Sequence, residues 1–115
     1  MTEQLVLRVD DLSTLMPDLN LTVRKDAEKY RDLSTDDAVT VSDGMHAVNG
    51  DVRSLYRCQF HNIYPHWLKD EHDVKDRTLA GLFGSMCAYY PGFTLETDVV
   101  LIWFRVLTSK GGWRD

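Results

Sequence analysis

No stretch of this chain gathers enough lysine and arginine to grip phosphates, and that lack disfavours direct nucleic-acid binding. Residues 1–50 carry ten acids against five bases and residues 51–115 carry eight of each, so the whole net charge of −5 arises in the first half. Cysteine is scarce. Cys58 and Cys87 are the only two, too few for a disulfide framework, and both read as reduced thiols of a cytoplasmic protein. No apolar run approaches the roughly 20 residues that cross a bilayer as a helix; the longest is Val99-Val100-Leu101-Ile102-Trp103-Phe104. The opening "MTEQLVLRVDD" has no basic segment leading into an apolar one, so no secretion signal is expected. Glycines never fall in a phosphate-cradling pattern. Asp36-Asp37 lacks further ligands at calcium-loop spacing. No serine sits in a nucleophile elbow. Together these absences argue against an enzyme and against a cofactor.

What remains is an ordinary folding mixture. At 43% hydrophobic and 27% charged over 115 residues, the chain reads as one domain, 1–115, with its own core. "EQLVLRV" and "LNLTVRK" alternate apolar and polar residues, as half-buried strands do, and are expected to pair with each other. "KDAEKYRDL" reads as a short helix ended by "STDD". "AVTVSDGMHAV" reads as two strands around an Asp43-Gly44 turn, with Asn49-Gly50 as a second turn. Residues 51–64 fit a helix capped by Asp51 and stopped by Pro65, although alternation of Val52, Tyr56, Cys58 and Phe60 also fits a strand.

The last forty residues read as helical. Asp73 caps a helix to about Tyr89, with Leu79, Leu82, Phe83, Met86 and Tyr90 as its stripe. Gly81 and Gly84 within it cost roughly 1 kcal/mol each against alanine, which implies a close neighbouring backbone. Thr94 or Thr97 starts a second helix that runs to about Ser109 and stops at Gly111-Gly112. Its apolar residues cover nearly every side, so a central strand is the alternative. The fold expected is therefore α+β: a small antiparallel sheet from the acidic first half, 1–50, packed against C-terminal helices from 51–115.

Cys58, His61, His66 and His72 are the candidate metal ligands, because Cys58-x2-His61 is one close pair. Structural zinc sites usually show two such pairs, so no metal is expected. A Cys58-His61 nucleophile pair lacks any oxyanion-hole motif. Asp32, Asp36, Asp37 and Asp43 lie in the acidic run 26–43, which has six acids and two bases. Such a face suits a protein partner with a basic surface, including part of a nucleic-acid-processing complex. Leu101 and Phe104 are the apolar candidates for a homodimer contact.

"LFGSMCAYYPGFTLETDVVLIWFRVL" resembles the helix, turn and tryptophan-bearing second helix of phage helicase-loader-inhibitor proteins. The resemblance covers about residues 74–108 and implies a small domain that contacts a replicative helicase. The function expected from all of this is an acidic, non-enzymatic protein-binding inhibitor or adaptor of the phage anti-defence kind, similar to an anti-CRISPR protein, without membrane or direct nucleic-acid contact. A phage replication helicase modulator and a small zinc-binding or Cys-dependent enzyme are the alternatives.

Overall fold

The structure, a computed structural model, describes residues 4–107. Five strands form one mixed sheet: β1 Leu5–Arg8, β2 Asn20–Lys25, β3 Ala38–Ser42, β4 Ala47–Gln59 and β5 Asp98–Val106. Their spatial order is β1-β3-β4-β5-β2. Only the β1–β3 pair is parallel; β3–β4, β4–β5 and β5–β2 are antiparallel. One helix, α1 Leu79–Tyr89, packs on one face of the sheet. The fold is α+β as expected, but the sheet is mixed rather than antiparallel and draws on both halves of the chain, and among the described residues there is one main helix rather than several C-terminal ones.

The two expected N-terminal strands both form, yet they do not pair. They occupy opposite edges, because β1 joins β3 while β2 crosses to β5. The Asp43-Gly44 turn joins β3 to β4 as read from the sequence. Asn49-Gly50 is no turn. It lies inside β4, where a Cβ on Gly50 would sit 2.8 Å from the Arg105 carbonyl oxygen of the neighbouring strand. The residues expected as a helix over 51–64 continue β4 to Gln59, then take a 3-10 turn at Phe60–Asn62. Between Val52 and Ser54 the β4–β5 register shifts, a bulge that bends the strand and helps the sheet curl. The short helix expected near Tyr30 is only a 3-10 turn, Glu28–Tyr30.

The second C-terminal helix is in fact strand β5, which also replaces the second helix implied by the phage-protein resemblance. Its sides alternate between two cores. Val100, Ile102, Phe104 and Val106 join Leu7, Val39, Val41 and Val52. Val99, Leu101 and Trp103 join Phe60, Leu68, Leu82 and Met86. A central strand covered on both faces is apolar without alternation, which explains a pattern that a helix would show only at the centre of a bundle. Leu101 and Phe104 are both 0% exposed. They are therefore core residues of this fold and present no surface to a second chain. The expected stop at Gly111-Gly112 lies outside the described residues.

Helix α1 begins later than Asp73 implied. Asp73 caps a 3-10 turn, Val74–Asp76, and Thr78 caps α1 by accepting from the Gly81 amide. Leu82 and Met86 are buried, with Leu79, Phe83 and Tyr90 packed beside them, so the stripe faces the sheet as read. Gly81 has the close backbone neighbour expected of it: a Cβ there would lie 1.9 Å from the Lys75 carbonyl oxygen. Gly84 has none, with nothing within 4 Å.

Candidate functional site

The curl of the sheet brings its two edges towards each other. At the seam, Arg24 Nη2 on β2 donates to the Arg8 carbonyl on β1 at 2.6 Å. Beside this contact lies a cavity of about 290 Å³, walled by the ends of β1 and β2, by residues 71–76 and by the face of α1 from Leu82 to Tyr90. Each wall brings polar groups: Thr22 and Arg24 from β2, Glu71, His72 and Asp76 from the turn, Ser85 and Tyr89 from the helix.

Glu71 is held against the outer edge of β2. The 3-10 segment Pro65–Asp70 ends there, the Glu71 amide donates to the Leu68 carbonyl, and the residue forms an isolated parallel bridge with Leu21. Its side chain is 3% exposed. Burial pushes its carboxyl up to about 8, and the Asp76 and Asp73 charges push the same way; the Asp73 amide and Arg24 oppose them and lose. At neutral pH Glu71 is therefore mostly a neutral acid, able to donate a proton. Its Oε1 accepts from the Asp73 amide at 3.2 Å.

His72 sits beside it with its side chain 10% exposed. Burial, with help from Arg24 and Lys75, lowers the imidazole to about 4 against the pull of Asp73 and Asp10. His72 Nε2 lies 3.4 Å from Glu71 Oε1, within ion-pair reach, but both groups are neutral near pH 7 because burial outweighs their attraction. Asp76 accepts a hydrogen bond from the Ser85 hydroxyl, and burial raises its carboxyl also. Tyr89 donates to Asp10 at 2.7 Å and so ties α1 to the end of β1. Arg24 Nε donates to Thr22 Oγ1 at 2.9 Å. Among the described residues, no carboxylate lies within 4.0 Å of the Arg24 guanidinium. The cavity thus holds a cation without an ion-pair partner, a neutral carboxyl, a neutral imidazole and several hydroxyls. That set can bind a small polar molecule and exchange a proton with it.

The residues singled out from sequence are scattered. Cys58 is half-buried on β4, its thiol pushed up by burial and by Asp98. His61 bonds Gln59 at the surface, and His66 stacks edge-on against Tyr64. His72 alone lies in the seam. Among the described residues no three His, Cys, Asp or Glu side chains are grouped for a metal ion. Asp32 and Asp36 are exposed, with Asp36 3.3 Å from Arg53. Asp37 and Asp43 have local work. Asp37 accepts from the Ser34 amide, and Asp43 accepts from the Met45 and His46 amides, which lower its carboxyl.

Thr22, Arg24, Glu71 and Asp76 escaped the sequence reading. The run Asp70-Glu71-His72-Asp73 is dense in titratable groups, and that density was the available signal. Its meaning depends on the bridge to Leu21, which buries one of the four acidic or basic side chains almost completely. A second, solvent-open groove of about 530 Å³ runs along Leu55, Tyr56, Trp67 and Trp103. Compared with known proteins, the chain matches no family model, no curated protein and no solved structure.

Proposed function

We propose that the seam cavity binds a small polar ligand and that Glu71 is the group that exchanges a proton with it. The observation that carries this reading is a carboxyl 3% exposed in the wall of a 290 Å³ cavity, held neutral near pH 7 by burial. A structural carboxyl is usually ionised and paired; burying a neutral one costs stability that a site can justify. A proton donor whose pKa lies near the working pH is suited to acid–base chemistry. Arg24 supplies fixed donors beside it, and Thr22, Ser85 and Tyr89 supply hydroxyls. An amide-resolved NMR screen of small polar compounds tests the reading. Binders are expected to shift residues 22–24 and 71–76, and Glu71→Leu is expected to abolish those shifts while the fold persists. Binders that cluster elsewhere, or that ignore Glu71→Leu, contradict it.

A second reading has its own support. The exposed carboxylates of Asp32 and Asp36, next to 3-10 and turn structure rather than in a ladder, are consistent with an acidic protein-binding inhibitor of the anti-defence kind. Its partner would present a basic surface. The two readings are compatible, because Asp32 and Asp36 are not part of the cavity wall.

A further inference from the structure

His72 has two ring nitrogens with different partners. Nδ1 lies 3.0 Å from Thr14 Oγ1. The Thr14 hydroxyl has one proton, already donated to the Asp11 carbonyl at 2.8 Å. Thr14 Oγ1 must therefore accept from the ring, which assigns the proton of the neutral imidazole to Nδ1. Nε2 is then a bare lone pair. It faces Glu71 Oε1 at 3.4 Å, a few tenths of an ångström beyond a normal hydrogen bond.

We infer that His72 is a positioning residue for Glu71: anchored to Thr14 through Nδ1–H, it presents its bare Nε2 to the Glu71 carboxyl and takes the carboxyl proton when a cationic group docks there. The inference rests on the seam cavity being a ligand site. Only a proton moves. The Glu71 O–H bond breaks, the Nε2–H bond forms, the Nδ1 proton stays on the ring and remains donated to Thr14 Oγ1, and the pair remains neutral as a whole. A buried site can in this way turn from hydrogen-bond donor to carboxylate acceptor without exchanging a proton with solvent.

The charged neighbours come from every wall. Arg24 on β2 favours the carboxylate and disfavours the imidazolium. Asp10, beyond β1, and Asp73 favour the imidazolium, whereas Lys75 disfavours it. Asp73 and Asp76 disfavour the carboxylate. Arg77 Nε donates to the Glu71 backbone carbonyl at 2.8 Å. With opposing charges around both members, a ligand's own charge is what tips the proton.

Nitrogen NMR of the full chain labelled at histidine tests this. In the ligand-free protein near neutral pH, His72 is expected to show a protonated Nδ1 and an unprotonated Nε2. Thr14→Val is expected to lose that single tautomer, and Thr14→Ser to keep it. A protonated Nε2 in the wild type, or an unchanged spectrum in Thr14→Val, overturns the anchoring. Methylammonium chloride then serves as the cationic probe. It is expected to move both His72 nitrogens saturably towards imidazolium, with no such change in Glu71→Gln. Shifts of the cavity amides that leave His72 neutral overturn the proton transfer. Absence of any shift at the cavity counts against the ligand site itself, which the tautomer measurement leaves separately judged.

Discussion

Glu71 and His72 make opposite contributions to stability as pH changes. Glu71 rises from an ordinary 4.5 to about 8 in the folded chain, so its folding contribution is complete below pH 4.5 and is lost as pH climbs to 8. His72 falls from an ordinary 6.5 to about 4, so its contribution is complete above 6.5 and is lost towards 4. Between 4.5 and 6.5 the two slopes offset each other. From pH 6.5 to 8 only Glu71 acts, and stability is expected to fall by about 1–2 kcal/mol. Thermal melts across that interval check it, with Glu71→Gln expected to stay level where the wild type declines. A second residue-scale prediction contrasts two glycines of one helix. Gly81→Ala drives a Cβ to 1.9 Å from the Lys75 carbonyl oxygen and is expected to cost about 1–3 kcal/mol. Gly84→Ala meets nothing within 4 Å and is expected to gain about 0.4–1 kcal/mol. Urea unfolding of the two variants decides whether the contacts have been read correctly.

Among the elements, β5 organises the molecule. Its seven buried side chains serve both cores, and burial of each such residue is worth roughly 1.5–3 kcal/mol. Phe104→Glu places a charge at a position that is 0% exposed, and it is expected to cost more than about 4 kcal/mol and leave the chain largely unfolded. Circular dichroism of the variant is the check; a folded monomer would contradict the burial. The same strand shows why the sequence misled. Val99 to Phe104 is apolar at every position, and a run without period fits a helix in a bundle as well as a strand between two layers. Strands β1, β2 and β3 were legible because their apolar and polar residues alternate, although the alternating polar residues Asn20 and Thr22 of β2 turn out buried. The stripe of α1 was legible for the equivalent reason. Strand β4 was not, because its later half carries Arg57 and Gln59 outward beside Tyr56 and a bulge at Arg53 that breaks the period. Partner strands were illegible altogether: nothing local to residues 4–25 says that β2 crosses to the far edge.

At the scale of the whole molecule, the site exists because the sheet curls. Glu71, Thr22, Arg24 and Tyr89 are up to 67 positions apart in sequence (89 − 22), and no spacing rule connects them. Among them and their neighbours the sequence singles out only His72, and as a metal candidate. The acidic surface makes a separate prediction. Asp32→Lys is expected to change stability by less than about 0.5 kcal/mol, since Asp32 is exposed, whereas Asp36→Lys is expected to cost more, because Asp36 holds φ 75° and faces Arg53 at 3.3 Å. If the acidic face docks on a basic partner, the same pair should slow association most at low salt. Asp37 is better left in place, because it holds the Ser34 amide at 2.8 Å. No helix among the described residues is long and apolar enough to cross a membrane. The central claim is that a neutral, proton-donating carboxyl lines the seam, and carbon NMR of the Glu71 side-chain carboxyl across pH reads it directly. The account predicts a titration midpoint near 8. A midpoint in the ordinary range near 4.5 would show an ionised, solvated or paired side chain and would contradict it.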